Sequence, residues 1–127
     1  MKFYRCEVCG NIVEKVVDHN VPVMCCGKTM TLLEANVTDG ATEKHVPEVS
    51  VENGVLHAVI GSVEHPSLPE HFINFIVVKA GDQVYRKDLK AGDKPEASFN
   101  LNGYTGMVEV YEFCNLHGLW KKEVEVK

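Results

Sequence analysis

Cysteine and histidine are the residues through which this chain could do chemistry, and the cysteines are unevenly distributed. Four of the five cysteines occur early in the chain, as Cys6-x-x-Cys9 and the adjacent pair Cys25-Cys26. Four thiolates so close together in sequence can surround one metal ion tetrahedrally, which suits zinc or a single iron. Zinc would make this segment a structural knuckle, whereas iron would make it a one-electron carrier.

Two disulfides are the alternative use of these four cysteines. Adjacent cysteines such as Cys25 and Cys26 cannot bridge each other without strain. The residues from Met1 to Cys6 also lack the apolar stretch of a signal peptide. We therefore expect a cytoplasmic protein, in which clustered cysteines are more often metal ligands than disulfides.

The fifth cysteine, Cys114, precedes His117 by a short turn and indicates a second site of a different kind. His45, His65 and His71 lie beside prolines, as His117 lies beside a glycine, so all four histidines are predicted in loops. Taken singly, a histidine is more often a surface residue than a ligand. As a set, four imidazoles and a thiolate would bind iron five-coordinately and leave one position open, as catalytic sites require.

The elements that must position these residues are strands. From Glu48 onward, apolar residues alternate with polar ones, and turn residues such as Asn53-Gly54 separate the runs. This pattern predicts an antiparallel β-sandwich. Its seven strands are expected at 49–51, 55–59, 72–78, 84–87, 97–101, 107–113 and 119–126.

Residues 1–36 are predicted as a separate domain from residues 37–127, with a linker from Asn36 to Ala41. The first domain has too few apolar residues to fold on hydrophobic burial alone and would need a metal. His19, in a polar turn, and His57, within a predicted strand, are interpreted as structural rather than as ligands.

Composition excludes several function classes. The chain has 127 residues, 45% of them hydrophobic and 24% charged, which is typical of a globular protein. No apolar run approaches the ~20 residues that span a membrane. A net charge of -5 without a basic cluster argues against nucleic-acid binding.

Two hypotheses stay open beside a catalytic iron protein. The chain could be an electron carrier that uses only its cysteine cluster, but this leaves Cys114-x-x-His117 unexplained. It could instead be a zinc-binding structural module, although five ligands exceed the tetrahedral set that zinc prefers. Colour separates the three hypotheses, because zinc is colourless and the two iron–thiolate sites absorb differently.

The motifs together resemble those of desulfoferrodoxin, the two-iron superoxide reductase family. They run almost from end to end in the family's order: Cys6-Glu7-Val8-Cys9-Gly10-Asn11, Cys25-Cys26-Gly27, Glu43-Lys44-His45-Val46-Pro47, Glu64-His65-Pro66, Glu70-His71 and Cys114-Asn115-Leu116-His117-Gly118-Leu119-Trp120. The resemblance implies a desulforedoxin-like knuckle followed by an immunoglobulin-like sandwich, and therefore an all-β fold.

The resemblance also implies two irons per chain. One would be held by Cys6, Cys9, Cys25 and Cys26, where zinc can replace it in recombinant material. The other would be held by His45, His65, His71 and His117, with Cys114 as the axial ligand.

The implied reaction is the one-electron reduction of superoxide to hydrogen peroxide by ferrous iron at an open sixth position. Glu43 would cap the oxidised iron and Lys44 would attract the anion. The four-cysteine iron would be an accessory electron-transfer centre. The family further implies a cytoplasmic homodimer, reduced by rubredoxin-like donors.

Overall fold

The structure, a computed structural model, describes residues 1–37 and 42–127, without the side chain of Glu43. The chain divides into two compact units, Met1–Glu34 and Ala35–Lys127. No helix within the described ranges is long and apolar enough to cross a membrane.

The first unit contains five short strands. β1 (Phe3–Arg5) lies between β2 (Ile12–Glu14) and β5 (Thr31–Leu32), and β3 (Met24–Cys25) pairs with β4 (Lys28–Thr29) in a separate hairpin. Strands of two or three residues are too short to show periodicity, so the sequence did not predict them. Few apolar side chains of this unit are buried, namely Phe3, Cys6 and Met30, in keeping with its predicted small core.

The second unit is an antiparallel β-sandwich, so the predicted all-β class is confirmed. It begins with a single helical turn, α1 (Thr42–His45). Its seven strands are β6 (Pro47–Glu52), β7 (Val55–Ile60), β8 (Ile73–Ala80), β9 (Gln83–Asp88), β10 (Glu96–Asn100), β11 (Gly106–Cys114) and β12 (Gly118–Val126). One sheet has the order β10-β7-β6 and the other the order β12-β11-β8-β9.

The core lies between the two sheets. Leu56, Ala58 and Ile60 of β7 alternate inward and meet Val108 and Val110 of β11, all of them fully buried. Each large side chain buried in this way stabilises the fold by about 1.5–3 kcal/mol. The predicted hairpin turn at Asn53-Gly54 is present, with φ angles of 52° and 76°, which the backbone of asparagine and glycine tolerates best.

One end of the sandwich gathers the loops that carry the candidate ligands. Pro47, the first residue of β6, pairs with Ile60, the last residue of β7. Cys114, the last residue of β11, pairs with Gly118 of β12 and with Ile73 of β8. Because these strands are antiparallel, α1, the loop between β7 and β8 and the turn between β11 and β12 meet at the same end.

Part of the predicted linker belongs to the second unit. The Asn36 backbone N–H donates to the Leu119 carbonyl, and the Asn36 side chain exchanges two hydrogen bonds with the backbone of Lys121, at 2.9 and 3.2 Å. Asn36 therefore extends the edge of β12. Residues 38–41 of that linker lie outside the described residues.

Candidate metal centres

The four-cysteine site, formed by Cys6, Cys9, Cys25 and Cys26, lies between two turns of the first unit. All four sulfur atoms lie within 4.8 Å of one another. The Sγ atoms of Cys9 and Cys25 are 3.7 Å apart and those of Cys25 and Cys26 are 3.9 Å apart. These separations are far longer than a disulfide bond, and all the cysteines are free. The disulfide alternative is therefore wrong for this structure.

Backbone amides are directed at these sulfur atoms. The amides of Cys9 and Asn11 donate to the sulfurs of Cys6 and Cys9, each at 3.4 Å. Gly10 and Gly27 have φ angles of 83° and 73°, which allow the chain to fold back around the sulfurs.

The pKa values of the clustered thiols diverge because the thiols have different hydrogen-bond partners. Amide hydrogen bonds from Cys9 and Val8 lower the pKa of Cys6 to about 6. Contacts with the neighbouring sulfurs of Cys9, Cys6 and Cys25 raise the pKa of Cys26 to about 12. Only a cation would allow all four thiols to ionise together, so the donor set fits a metal ion.

The histidine–cysteine site comprises His45, His65, His71, His117 and Cys114 at the loop-bearing end of the sandwich. The four imidazole rings form a closed square, in which neighbouring centroids are 4.8, 4.6, 5.0 and 4.7 Å apart. Neighbouring rings are nearly perpendicular, whereas the diagonal pair of His45 and His71 is 6.3 Å apart and inclined by 28°. The structure thus brings together all four histidines predicted from the loops.

The ring nitrogens of this square converge on one point. His45 Nε2 lies 3.2 Å from His65 Nε2 and 3.1 Å from His117 Nδ1. A neutral ring nitrogen offers either one proton or one lone pair, so His45 Nε2 can satisfy only one of these neighbours. His71 Nε2 is buried without a hydrogen-bond partner among the described residues. A metal ion would satisfy all of these nitrogens, so the residues fit the metal that the sequence predicted.

Cys114 adds a sulfur ligand to the same cluster. Its ligand atom and those of His45, His65 and His71 all lie within 4.8 Å of one another, and its Sγ is 3.9 Å from His117 Nδ1. Burial raises the pKa of the Cys114 thiol, while the amides of Leu116 and His117 oppose this effect. A bound cation would favour the thiolate still more strongly.

His65 is oriented by its own loop. Its Nδ1–H donates to the Pro66 carbonyl at 2.7 Å, which leaves the Nε2 lone pair directed at the cluster. Burial, reinforced by the neighbouring imidazoles, lowers the pKa of His65 to about 4. Burial also lowers the pKa of His71. Neutral imidazole is the form that binds metals, so burial prepares both rings as ligands.

Glu43 and Lys44 belong to α1, immediately before His45. Lys44 is exposed, and its positive charge contributes to the lowered pKa of His71. Its predicted role, the attraction of superoxide, stays a prediction. The Glu43 side chain lies outside the described part of the chain, so its predicted role stays a prediction.

Sequence reasoning missed Glu112, which lies in β11 before Cys114. Glu112 is fully buried, and neither carboxylate oxygen has a hydrogen-bond partner among the described residues. Burial raises its pKa well above the usual value, and Glu112 in turn contributes to the raised pKa of Cys114. The sequence signal for its burial was its position two residues after Val110, in the alternating series of inward-facing residues that includes Val108.

Both parts of the chain match known families. Residues 37–123 match the family described as Desulfoferrodoxin, and residues 1–33 match the family described as Desulfoferrodoxin, N-terminal domain. The chain belongs to the desulfoferrodoxin family. A desulfoferrodoxin from Syntrophotalea carbinolica is 47% identical over 123 residues, which cover 97% of this chain and 96% of that protein.

Solved structures of superoxide reductases are also similar to this chain. A superoxide reductase from Treponema pallidum superposes with a TM-score of 0.75 at 28% identity, covering 95% of this chain and 97% of that one. A superoxide reductase from Giardia intestinalis has a TM-score of 0.57 at 30% identity. It covers 66% of this chain and 99% of its own length.

Proposed function

We propose that this protein is a superoxide reductase. Superoxide, one electron and two protons give hydrogen peroxide, and no dioxygen is released. The observation that carries the proposal is the square of four imidazoles with the Cys114 sulfur beside it, in a chain of the desulfoferrodoxin family. Ferrous iron bound there would supply the electron, because imidazole and thiolate together suit iron.

Each residue of the histidine–cysteine site has a distinct role in this proposal. His45, His65, His71 and His117 would hold the metal through neutral imidazoles, and Cys114 would hold it as a thiolate that donates electron density. Lys44 concentrates superoxide at the site, since a protein of net charge -5 otherwise repels an anion. Glu43, next to Lys44 in α1, would supply a carboxylate ligand to the oxidised metal.

The four-cysteine site serves as an accessory electron-transfer centre with a second iron. We assign it to a domain of residues 1–36 and the catalytic site to a domain of residues 37–127. The two compact units and the two family matches support this division. Zinc can occupy the four-cysteine site in recombinant material, because four thiolates suit both metals.

The surroundings of the reaction are part of the same proposal. We assign the protein to the cytoplasm, as a homodimer that receives electrons from a rubredoxin-like donor. The free cysteines and the family resemblance support this assignment.

Metal analysis combined with pulse radiolysis tests the proposed function. The anaerobically reduced protein, loaded with iron at both sites, should consume superoxide in a fast second-order reaction and form hydrogen peroxide. Dioxygen should not appear, which distinguishes reduction from dismutation. A protein that binds iron at both sites but reacts with superoxide no faster than its Cys114→Ser variant would overturn the proposal.

A further inference from the structure

Asn115, the residue after Cys114, is bonded to the backbone on both sides of His71. Its Oδ1 accepts a hydrogen bond from the Phe72 N–H at 2.9 Å, and its Nδ2 donates to the Glu70 carbonyl at 3.1 Å. The Asn115 backbone N–H also donates to the Phe72 carbonyl at 3.2 Å. Three hydrogen bonds therefore link the loop of His71 to the turn that carries Cys114.

These bonds replace strand pairing that ends at this point. The pairing between β11 and β8 becomes irregular between Phe113 and Cys114, and Cys114 is the last paired residue of β11. Beyond it, the Asn115 side chain offers one acceptor and one donor, as a peptide group does. Asparagine is suited to this place because aspartate has no N–H to donate and alanine has neither group.

His71 has no other such link to the turn among the hydrogen bonds of the described residues. Its backbone exchanges two hydrogen bonds with Leu68, at 2.9 and 3.0 Å, which close a short loop on itself. Its Nε2 makes no hydrogen bond to any described residue. The backbone around His71 is therefore held against the Cys114 turn by the bonds of Asn115, together with the pairing of Cys114 with Ile73.

We propose that Asn115 is a positioning residue that holds His71 in register with Cys114 and His117, so that the three side chains bind one metal ion. The hydrogen bonds of Asn115 described above go to the backbone on both sides of His71 and not to its ring. The inference rests on the metal-binding part of the proposed function and does not depend on the reaction with superoxide. Residues that orient metal ligands typically change metal affinity by about 10–100-fold when replaced.

Asn115→Asp tests the proposal with a nearly isosteric change. The carboxylate still accepts from the Phe72 N–H, but its second oxygen faces the Glu70 carbonyl and repels it. Cobalt(II) is titrated into the metal-free full-length protein, and the absorption band of the single-thiolate site reports its affinity. We expect an affinity about 10–100-fold lower than that of the parent protein.

Asn100→Asp is the matched control. It adds the same charge to the same sandwich at the far end of β10 and retains its acceptor bond from the Asn102 N–H. This variant should bind cobalt as the parent protein does. Asn115→Ala removes both side-chain bonds without adding a charge and should weaken binding in the same direction, so the test does not depend on one variant folding.

A double-mutant cycle separates positioning from a general loss of stability. If Asn115 acts through His71, Asn115→Asp should cause no further loss of cobalt affinity in a His71→Ala protein. An equal loss in both backgrounds would overturn the proposal. The proposal would also be overturned if Asn115→Asp and Asn115→Ala bound cobalt with affinities within about twofold of that of the Asn100→Asp control. Coupling between Asn115 and His71 is expected because residues that share a hydrogen-bond network are not independent. Reactivity with superoxide is measured separately, so failure of the positioning role of Asn115 can be distinguished from failure of the proposed function.

Discussion

The imidazole ring of His45 lies against the indole ring of Trp120, with centroids 4.9 Å apart and planes inclined by 21°. The same indole donates its Nε1–H to the carbonyl of His117 at 3.0 Å. One buried side chain thus supports two candidate ligands from different loops, the helical turn α1 and the turn between β11 and β12.

Trp120→Phe should keep an aromatic face for His45 and lose the hydrogen bond to His117. We expect the free energy of unfolding of the metal-free protein to fall by about 1–3 kcal/mol, from the lost bond and the smaller ring. Urea unfolding measures this, and the thiolate-to-iron band of the loaded protein should shift as His117 moves. Trp120→Leu, which lacks the ring as well, should be less stable still. Equal stabilities for Trp120→Phe and the parent would contradict the supporting role.

Lys44→Ala should slow the reaction of the reduced protein with superoxide and flatten its dependence on salt. Superoxide carries little besides its charge, so an exposed lysine acts on the encounter rate. Salt screens this attraction over a Debye length of ~8 Å at physiological ionic strength. Lys44→Arg should keep most of the rate because it keeps the charge. Pulse radiolysis at several salt concentrations makes the comparison.

Lys87→Ala is the control for the Lys44 experiment. Lys87 is an exposed residue of the edge strand β9, so its loss changes the net charge equally without altering the site. The steering role is wrong if Lys44→Ala and Lys87→Ala show the same rate and the same salt slope.

Glu43→Ala should leave the capture of superoxide nearly unchanged and alter the absorption spectrum of the oxidised protein. A carboxylate that binds only the oxidised metal is absent from the reduced reactant, so its loss appears after oxidation. Glu48→Ala, an exposed position on β6, serves as the control. An oxidised spectrum identical in Glu43→Ala and Glu48→Ala would count against carboxylate ligation.

Cys9→Ser should empty or loosen the four-cysteine site without affecting the reaction with superoxide. A segment with so small a core depends on its metal for folding, because metal-binding energy is folding energy there. Metal analysis should find the second iron retained, and the reduced variant should react at the parent rate. Cys114→Ser should keep the metal of the four-cysteine site but lose the second iron and the reaction with superoxide. Loss of the second iron from Cys9→Ser would show that the two sites are coupled.

The stability of the metal-free protein should fall as the pH is lowered from about 6.5 towards 4. The pKa of His65 is lowered in the folded state to about 4 from an ordinary value of 6.5, so the unfolded chain binds more protons between these values. The stabilisation is complete above the unfolded pKa and is lost as protonation proceeds, by at most about 3 kcal/mol. Urea unfolding from pH 4 to 7 measures the slope. His65→Gln should flatten it, whereas His19→Gln, at an exposed turn, should not.

The seven strands of the second unit could be predicted from the sequence because their signals are local. Alternation of apolar residues between Val55 and Val59 and the turn at Asn53-Gly54 depend only on neighbours along the chain. The five short strands of the first unit have no such signal, because their geometry follows from the cysteine turns at Gly10 and Gly27. Asn36 was likewise predicted as linker, since its hydrogen bonds to Lys121 join positions distant in sequence.

The identity of the candidate ligands was determined by the sequence itself. Cysteines clustered at short spacing and histidines beside prolines have few other uses in combination, and their order along the chain resembles one family. The chemistry of a donor set depends on residue type, which the sequence states directly.

Only the tertiary structure decided how the ligands are arranged and held. The near-perpendicular square of imidazoles, the bonds of Asn115 around His71 and the contact of Trp120 with His45 join loops that are far apart in sequence. Tertiary structure also decided the burial of Glu112, which has no hydrogen-bond partner for its carboxylate among the described residues. These relationships depend on how antiparallel strands bring distant loops to one end of a sandwich, and no periodicity within a single segment records that convergence.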